Sequence, residues 1–373
     1  MCKRENCDLK KFEDEELENS EYCILHCEKD EKNGWYSLKS DGSKDWDESK
    51  LELFWDEIKS EINKKTAIHK EFLKIFNKDN KNIIEEFKEY KFENIYFPLT
   101  IKYNKPFYEL NRCLNESNKL NLYFENCHFL GKIDFHHIFK AKDINFDNCD
   151  FYEDLEFKKN TFDNLFVFED CRVHKKAEFR NITFKDTTSF IKSTFFSDLN
   201  LIHTKFESLA LFNGMKIDRL RIDNTFFKDE ANFLNMKNKD DKELESKNIA
   251  NKETARIIKH SFEKQDNIIK ANKFYALEMQ KQEEELKWNI SDFGEKIIFK
   301  AHKLFSNHSQ DWFLALLWIV FITLCFNYFS NILLSSFDEI IIPIIGLICI
   351  LVVDNGSTHK EIFDIAKKSG VKL

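Results

Sequence analysis

The chain has little of the usual turn punctuation: among 373 residues there are 8 glycines and 3 prolines. Ordinary globular folds place both at loops and tight turns, so the reversals of this chain must come from other residues. It also lacks an excess of positive charge, with 57 Lys plus Arg against 65 Asp plus Glu and a net charge of −8. A nucleic-acid binder needs a basic face, and none is expected from this balance. No charged-then-apolar leader opens the chain. The ten cysteines are scattered rather than spaced as a disulfide framework, so thiols that are free or metal-bound, in a reducing compartment, are expected. Catalytic signatures are missing too: there is no Gly-rich phosphate loop, nucleophile elbow or dinucleotide fingerprint. His136 and His137 adjoin, but no carboxylate or cysteine stands at a fixed spacing from them, and a surface loop explains them best. The expectation is a protein that is not an enzyme.

What the chain has in abundance is phenylalanine, 39 residues of it. Phe or Leu recurs every eleven residues at Phe124, Phe135, Phe146, Phe157, Phe168, Phe179, Phe190, Leu201 and Phe212. A second register runs through Phe129, Phe151, Phe162, Val173, Phe184, Phe195, Phe206 and Ile217, and misses its turn at Lys140. The apolar spacing therefore alternates five and six, tightening to five at Ile217, Ile222 and Phe227 before Phe233 closes the array. Positions five apart on a helix lie about 140° apart, so the two registers could not share a helical face. The intervening Asn126, Asn148, Asn181, Thr183, Thr187 and Thr188 also favour turns over helix.

A solenoid fits, in which each five- or six-residue unit forms one side of a coil and its central Phe points inward. A smaller residue two positions earlier also points in, as at Cys127, Ile133, Ile144, Cys149, Leu155, Cys171, Ala177, Thr188, Thr204 and Ala210. The units Cys127-His128-Phe129-Leu130-Gly131 and Cys149-Asp150-Phe151-Tyr152-Glu153 resemble the pentapeptide-repeat family, over roughly Leu122 to Met236. That resemblance implies a right-handed, four-sided β-helix, and Phe92 and Phe97 would begin an earlier coil interrupted by residues 98–120. Some members of the family mimic DNA through an acidic surface. From Asn121 to Asp240 there are 20 Asp plus Glu against 18 Lys plus Arg, which is nearly neutral and disfavours mimicry.

The chain opens Cys2-x4-Cys7-x15-Cys23-x2-His26, with Cys27 directly after. Three thiolates and one imidazole suit tetrahedral zinc in a closed, structural site, and Cys27 could stand in for one of them. The other reading is a tail whose thiols merely cluster. Leu51, Phe54, Trp55, Ile58 and Ile62 repeat at helical spacing from Asp47 to about Lys65, and a second run follows through Phe72 to Phe87. These helices would cap an end of the solenoid that otherwise invites edge pairing. After the array, residues 238–251 read as a charged linker. A helix then begins near Thr254, and a second, capped by Asp266, continues to about Leu286, as in membrane-attached members of the family.

Trp312 to Leu334 is a 23-residue run without charge, long enough to span a bilayer about 30 Å thick. Ile340 to Val353 gives a second run of 14, which either crosses or dips in and returns through Pro343 and Gly346. Lys296, Lys300 and Lys303 precede the pair, Lys360, Lys367 and Lys368 follow it, and the link between has no Lys or Arg. The positive-inside rule keeps both flanks in the cytoplasm.

These readings divide the chain into six parts. They are a cysteine-rich segment (1–45), a helical cap (46–90), the solenoid (91–238), a linker with helices leading to the membrane (239–310), a transmembrane hairpin (311–355) and a cytoplasmic tail (356–373). The fold expected is a mainly β solenoid with flanking α-helices and a C-terminal transmembrane helical hairpin, in a bacterial inner membrane. Its partners would be the lipid bilayer and a cytoplasmic protein. Two functions compete: a membrane-tethered scaffold, and a homo-oligomeric membrane effector or channel glued through Thr323, Asn327 and Asn331.

Overall fold

The structure is a computed structural model that describes residues 22–75, 89–98, 121–136, 143–286 and 293–332. It separates into two compact units, one ending at Asp266 and the other beginning at Asn267.

The first unit is built on a parallel β-solenoid. Its short strands pair with strands 22 residues away: Phe157 sits between Phe135 and Phe179, Phe146 between Phe124 and Phe168, and Phe151 between Phe129 and Val173. The eleven-residue ladder is thus two blocks to the coil, and alternate members of the series land on different faces. Phe124, Phe146 and Phe168 lie in a sheet seven strands deep, while Phe157 and Phe179 lie in another. The first coil pairs at a separation of 32, Phe92 with Phe124 and Phe97 with Phe129, so those two phenylalanines do open the array. The last coil pairs at 21, Ala210 with Ala231 and Lys216 with Lys237, which matches the tightened spacing of its sequence.

The corners explain the shortage of glycine. Asn126, Asn148, Asp170, Lys192 and Asn235, and in a second series Lys159, Asn181, His203 and Asn224, take φ between 48° and 58°. Each stands just before a residue that turns into the coil. The left-handed region costs most side chains about 1–2 kcal/mol, and asparagine tolerates it best because its short amide bonds locally. Asn148 Nδ2 donates to Asn126 Oδ1 at 2.6 Å, which links the corners of adjacent coils.

Inside, the rings stack coil on coil: Phe124 on Phe146 at 4.9 Å and 11°, Phe157 on Phe179 at 4.9 Å and 9°, Phe190 on Phe212 at 5.4 Å and 3°. Burying each stabilises the array by about 1.5–3 kcal/mol, with roughly 1 kcal/mol more from stacking. The smaller inward residues, from Cys127 to Ala210, are all buried. Cys149, Cys171 and Thr204, and Ser193 at an equivalent position, reach a carbonyl 25 residues earlier: Cys149 Sγ donates to Phe124 O, Cys171 Sγ to Phe146 O, Ser193 Oγ to Phe168 O and Thr204 Oγ1 to Phe179 O. Cys127 Sγ donates instead to Phe92 O, and Thr188 Oγ1 to Asp186 O. A thiol or hydroxyl is therefore tolerated in an apolar core because each has an acceptor in place.

Both ends of the solenoid meet packed segments. Helix α1 (Glu48–Ile75) buries Leu51, Phe54, Trp55, Ile58 and Ile62, the stripe its sequence marks out. Phe54 meets Phe97 of the first coil edge-on at 6.0 Å, and Tyr90 Oη donates to Ile62 O. The helix is continuous to Ile75, so it takes in the start of the second run expected from sequence, whose remainder lies outside the described residues. Residues 238–251 are packed rather than a free linker. Asn248 Nδ2 donates to Asp218 O, Ala250 N donates to Leu220 O, and Ile249 is buried. Helix α2 (Lys252–Lys264) follows, capped by Asn251, and Thr254 Oγ1 accepts from Ile222 N of the last coils.

The second unit holds helices α3 (Ile268–Glu285), α4 (Phe293–Ser306) and α5 (Trp312–Ile332). Asn267 rather than Asp266 caps α3, accepting from Lys270 N at 3.3 Å. Asp266 has φ 53° and so forms the turn before the cap. Over Trp312–Phe329, α5 has mean hydropathy 2.0, and it is long and apolar enough to cross a bilayer. The second apolar run, Ile340 to Val353, lies outside the described residues. Between α4 and α5, Asn307, His308 and Ser309 have φ of 49°, 53° and 66° in succession.

Candidate functional site

Of the four expected zinc ligands, Cys23 and His26 are described and come together. Cys23 is buried, and its Sγ lies 3.0 Å from His26 Nδ1 across one turn. A tetrahedral zinc holds sulfur at about 2.3 Å and nitrogen at about 2.0 Å, which sets the two roughly 3.5 Å apart. A small opening of this pair would admit the ion, so the two residues fit half of a tetrahedral set. Cys2 and Cys7 lie outside the described residues. Among the described residues no three His, Cys, Asp or Glu converge as a metal site. Cys27 faces elsewhere: its Sγ lies 3.7 Å from Lys29 Nζ and 3.6 Å from Ile24 O.

Lys29 carries no sequence signal, yet it organises this segment. Its Nζ donates to the carbonyls of Ile24, Leu25 and Cys27 at 2.7, 3.0 and 2.8 Å, and lies 5.0 Å from the rings of both Trp35 and Phe54. Burial lowers its pKa to about 8, against the opposing pull of Cys27 and Cys23. The ammonium pins the Cys23–Cys27 turn onto α1, and Tyr96 N donates to Leu25 O to tie that turn to the first coil.

The feature that sequence reasoning missed runs along the outside of the solenoid. Five rings form a continuous stack: Tyr96 on His128 at 4.3 Å and 12°, His128 beside Tyr152 at 6.3 Å, Tyr152 on His174 at 4.9 Å and 7°, and His174 on Phe196 at 5.1 Å and 12°. Tyr152 and Phe196 are each 37% exposed. Outward positions of a sheet are ordinarily polar, so a line of stacked, half-exposed rings is the departure that marks this face.

Beneath the rings sits Asp150, nearly buried. Arg172 grips it with two hydrogen bonds, Nε to Oδ1 at 2.5 Å and Nη2 to Oδ2 at 2.7 Å. His128 Nδ1 lies 3.3 Å from Oδ2, and His174 Nε2 lies 3.7 Å from Oδ1. Burial pushes the Asp150 carboxyl up, but the bonds from Arg172 and His128 outweigh it and hold the group well below the usual carboxylate range. Asp150 in turn raises the Arg172 pKa. The carboxylate thus holds the guanidinium with two hydrogen bonds and has both imidazoles within 3.7 Å, which gathers these groups into one layer beneath the stacked rings. Such a strip can stack against planar groups and take hydrogen bonds at its imidazole edges.

His136 is the last residue of a strand, and His137 lies outside the described residues. On α5, Thr323 Oγ1 donates to Ile319 O of its own helix at 2.7 Å. Asn327 shares that helix, while the side chain of Asn331 lies outside the described atoms. No family model, no curated protein and no solved structure matches this chain.

Proposed function

We propose that the chain is a membrane-tethered, non-catalytic scaffold of the pentapeptide-repeat kind, whose four-sided, right-handed solenoid presents an interaction surface to a cytoplasmic protein. The observation that carries this reading is the outward stack Tyr96–His128–Tyr152–His174–Phe196, fixed from below by Asp150 and Arg172. Exposed aromatic rings on a rigid sheet are the groups that dominate protein recognition energetics. Helix α5, with the second apolar run as its return, is the anchor, and the flanking lysines keep the solenoid on the cytoplasmic side. The Cys2, Cys7, Cys23 and His26 set holds a structural zinc that closes the segment packed on α1.

The test is the mass of the detergent-purified chain by light scattering, with zinc measured on the same sample. A photo-reactive residue at position 174 is added in cells. The scaffold reading expects a monomer with one zinc and a discrete cross-linked protein that Phe196→Ser removes. A closed oligomer, cross-linked only to copies of itself, would replace this reading with the membrane effector, in which α5 helices associate through Thr323 and Asn327.

A further inference from the structure

A second outward face of the solenoid carries a regular charge mesh that breaks at one place. In the strands Leu155–Lys158, Ala177–Arg180, Thr194–Asn200 and Lys216–Arg221, Glu156 stands in register with Glu178, Glu178 with Asn200, and Asn200 with Arg221. The first two rungs are balanced. Lys132 and Lys158 hold Glu156 at 2.8 and 2.6 Å, while Lys176 and Lys158 hold Glu178 at 2.5 and 3.3 Å. At the next two rungs the carboxylate column becomes an amide and then a guanidinium.

The break opens onto a groove of about 390 Å³, lined by Lys176, Arg180, Arg219 and Arg221 with Asp198, Asn200 and Asn251. Arg221 is neutralised by Asp223 at 2.7 Å, and Lys176 by Glu178. Arg180 is paired only at long range: its Nη2 lies 3.8 Å from Glu178, a carboxylate already held by Lys176 and Lys158, while its Nε is inaccessible and has no acceptor. Arg219 forms no ion pair among the described residues, and neither does Asp198. A guanidinium with an orphaned donor is costly to hold in place, and planar guanidinium groups match the oxygens of phosphate in pairs. We propose that this groove is a binding site for a phosphate monoester, gripped by Arg180 and Arg219. Asn200 and Asn251 supply further donors, and Asp198 accepts from a hydroxyl of the ligand. The phosphate comes either from a soluble small molecule or from a lipid headgroup.

The experiment is titration calorimetry on the full chain in detergent with inorganic phosphate and with a short-chain phosphatidic acid, short-chain phosphatidylcholine serving as the neutral control. The site predicts saturable binding of inorganic phosphate, of phosphatidic acid or of both, and none of phosphatidylcholine. Arg180→Gln and Arg219→Gln each weaken it by about tenfold or more, as expected for loss of a charged hydrogen bond. Lys185→Gln, just past the strand Thr183–Phe184 and outside the groove lining, leaves it unchanged, and the ligand-free melting temperature is the same in all variants. Tighter binding of phosphatidic acid than of inorganic phosphate assigns the site to a headgroup, and equal binding assigns it to soluble phosphate. Absence of binding by both, or equal weakening by Lys185→Gln, would overturn the site. Arg219 is exposed, so its variant still decides the matter should Arg180→Gln disturb the fold.

Discussion

Asn148 shows how a single residue carries both the backbone and the surface of this fold. Its φ of 48° belongs to a region most side chains avoid, and its amide bonds to Asn126 one coil away. Asn148→Ala is expected to lower stability by about 1–2 kcal/mol, and Asn148→Gly by clearly less, as read from urea unfolding of the two variants side by side. Asp150 makes the matching argument for electrostatics. Its carboxyl is held below the usual range by Arg172 and His128, so its contribution is full above the unfolded value of about 4 and is lost as pH falls through the lower folded value. Asp150→Asn should therefore be less stable than the parent chain at pH 7, with the gap closing below about pH 4. A constant gap across that range would remove the carboxylate from the account. The inward column was legible from sequence because its period is short and its members are apolar. The outward stack was not. Its members stand 32, 24, 22 and 22 residues apart, a pattern that becomes spatial only once the coil is known to close every 22 residues.

At the scale of elements, helices were recoverable where an apolar stripe met a cap residue. Leu51 to Ile62 of α1 is such a stripe, and all five of its members are buried. Residues 238–251 gave no stripe, because they pack through single contacts, namely the Asn248 amide, Ile249 and the Ala250 amide, against whatever the last coil presents. The link between α4 and α5 offers the clearest pH test. His308 is fully buried with neither ring nitrogen hydrogen-bonded, in the middle of three left-handed residues. Burial lowers its pKa, His302 and Lys303 add to that effect, and Glu283 at 3.8 Å opposes it. A base with a lowered folded pKa leaves the opened state to take the proton first. The turn is thus most stable above about pH 6.5 and loses stability as pH drops through that value. Hydrogen exchange at residues 307–311, corrected for intrinsic rates, should show weaker protection at pH 5.5 than at pH 7.5. His308→Asn should reduce the difference, and equal protection at both values would mean the histidine is not titrating in the turn.

For the whole molecule, the spacing of phenylalanine together with the shortage of glycine told the solenoid. A chain rich in phenylalanine and poor in glycine folds as a stack because asparagine, aspartate and lysine make its corners, and because each coil offers the next an identical apolar floor. What composition could not tell is which outward residues matter, since a charge mesh, an aromatic strip and a basic groove all read as ordinary surface until their rungs are aligned. The register of 22 that holds between the middle coils has a genetic corollary. An in-frame duplication of residues 155–176 inserts one complete coil, adding about 4.8 Å to the stack and leaving every side chain on its original face, whereas duplicating eleven residues rotates everything downstream onto the wrong face. The first variant should express and melt cooperatively like the parent, and the second should not. Unequal crossing-over at such a locus would then lengthen or shorten the protein in whole steps, and the distance between its two packed ends would be an inherited integer rather than a continuous trait.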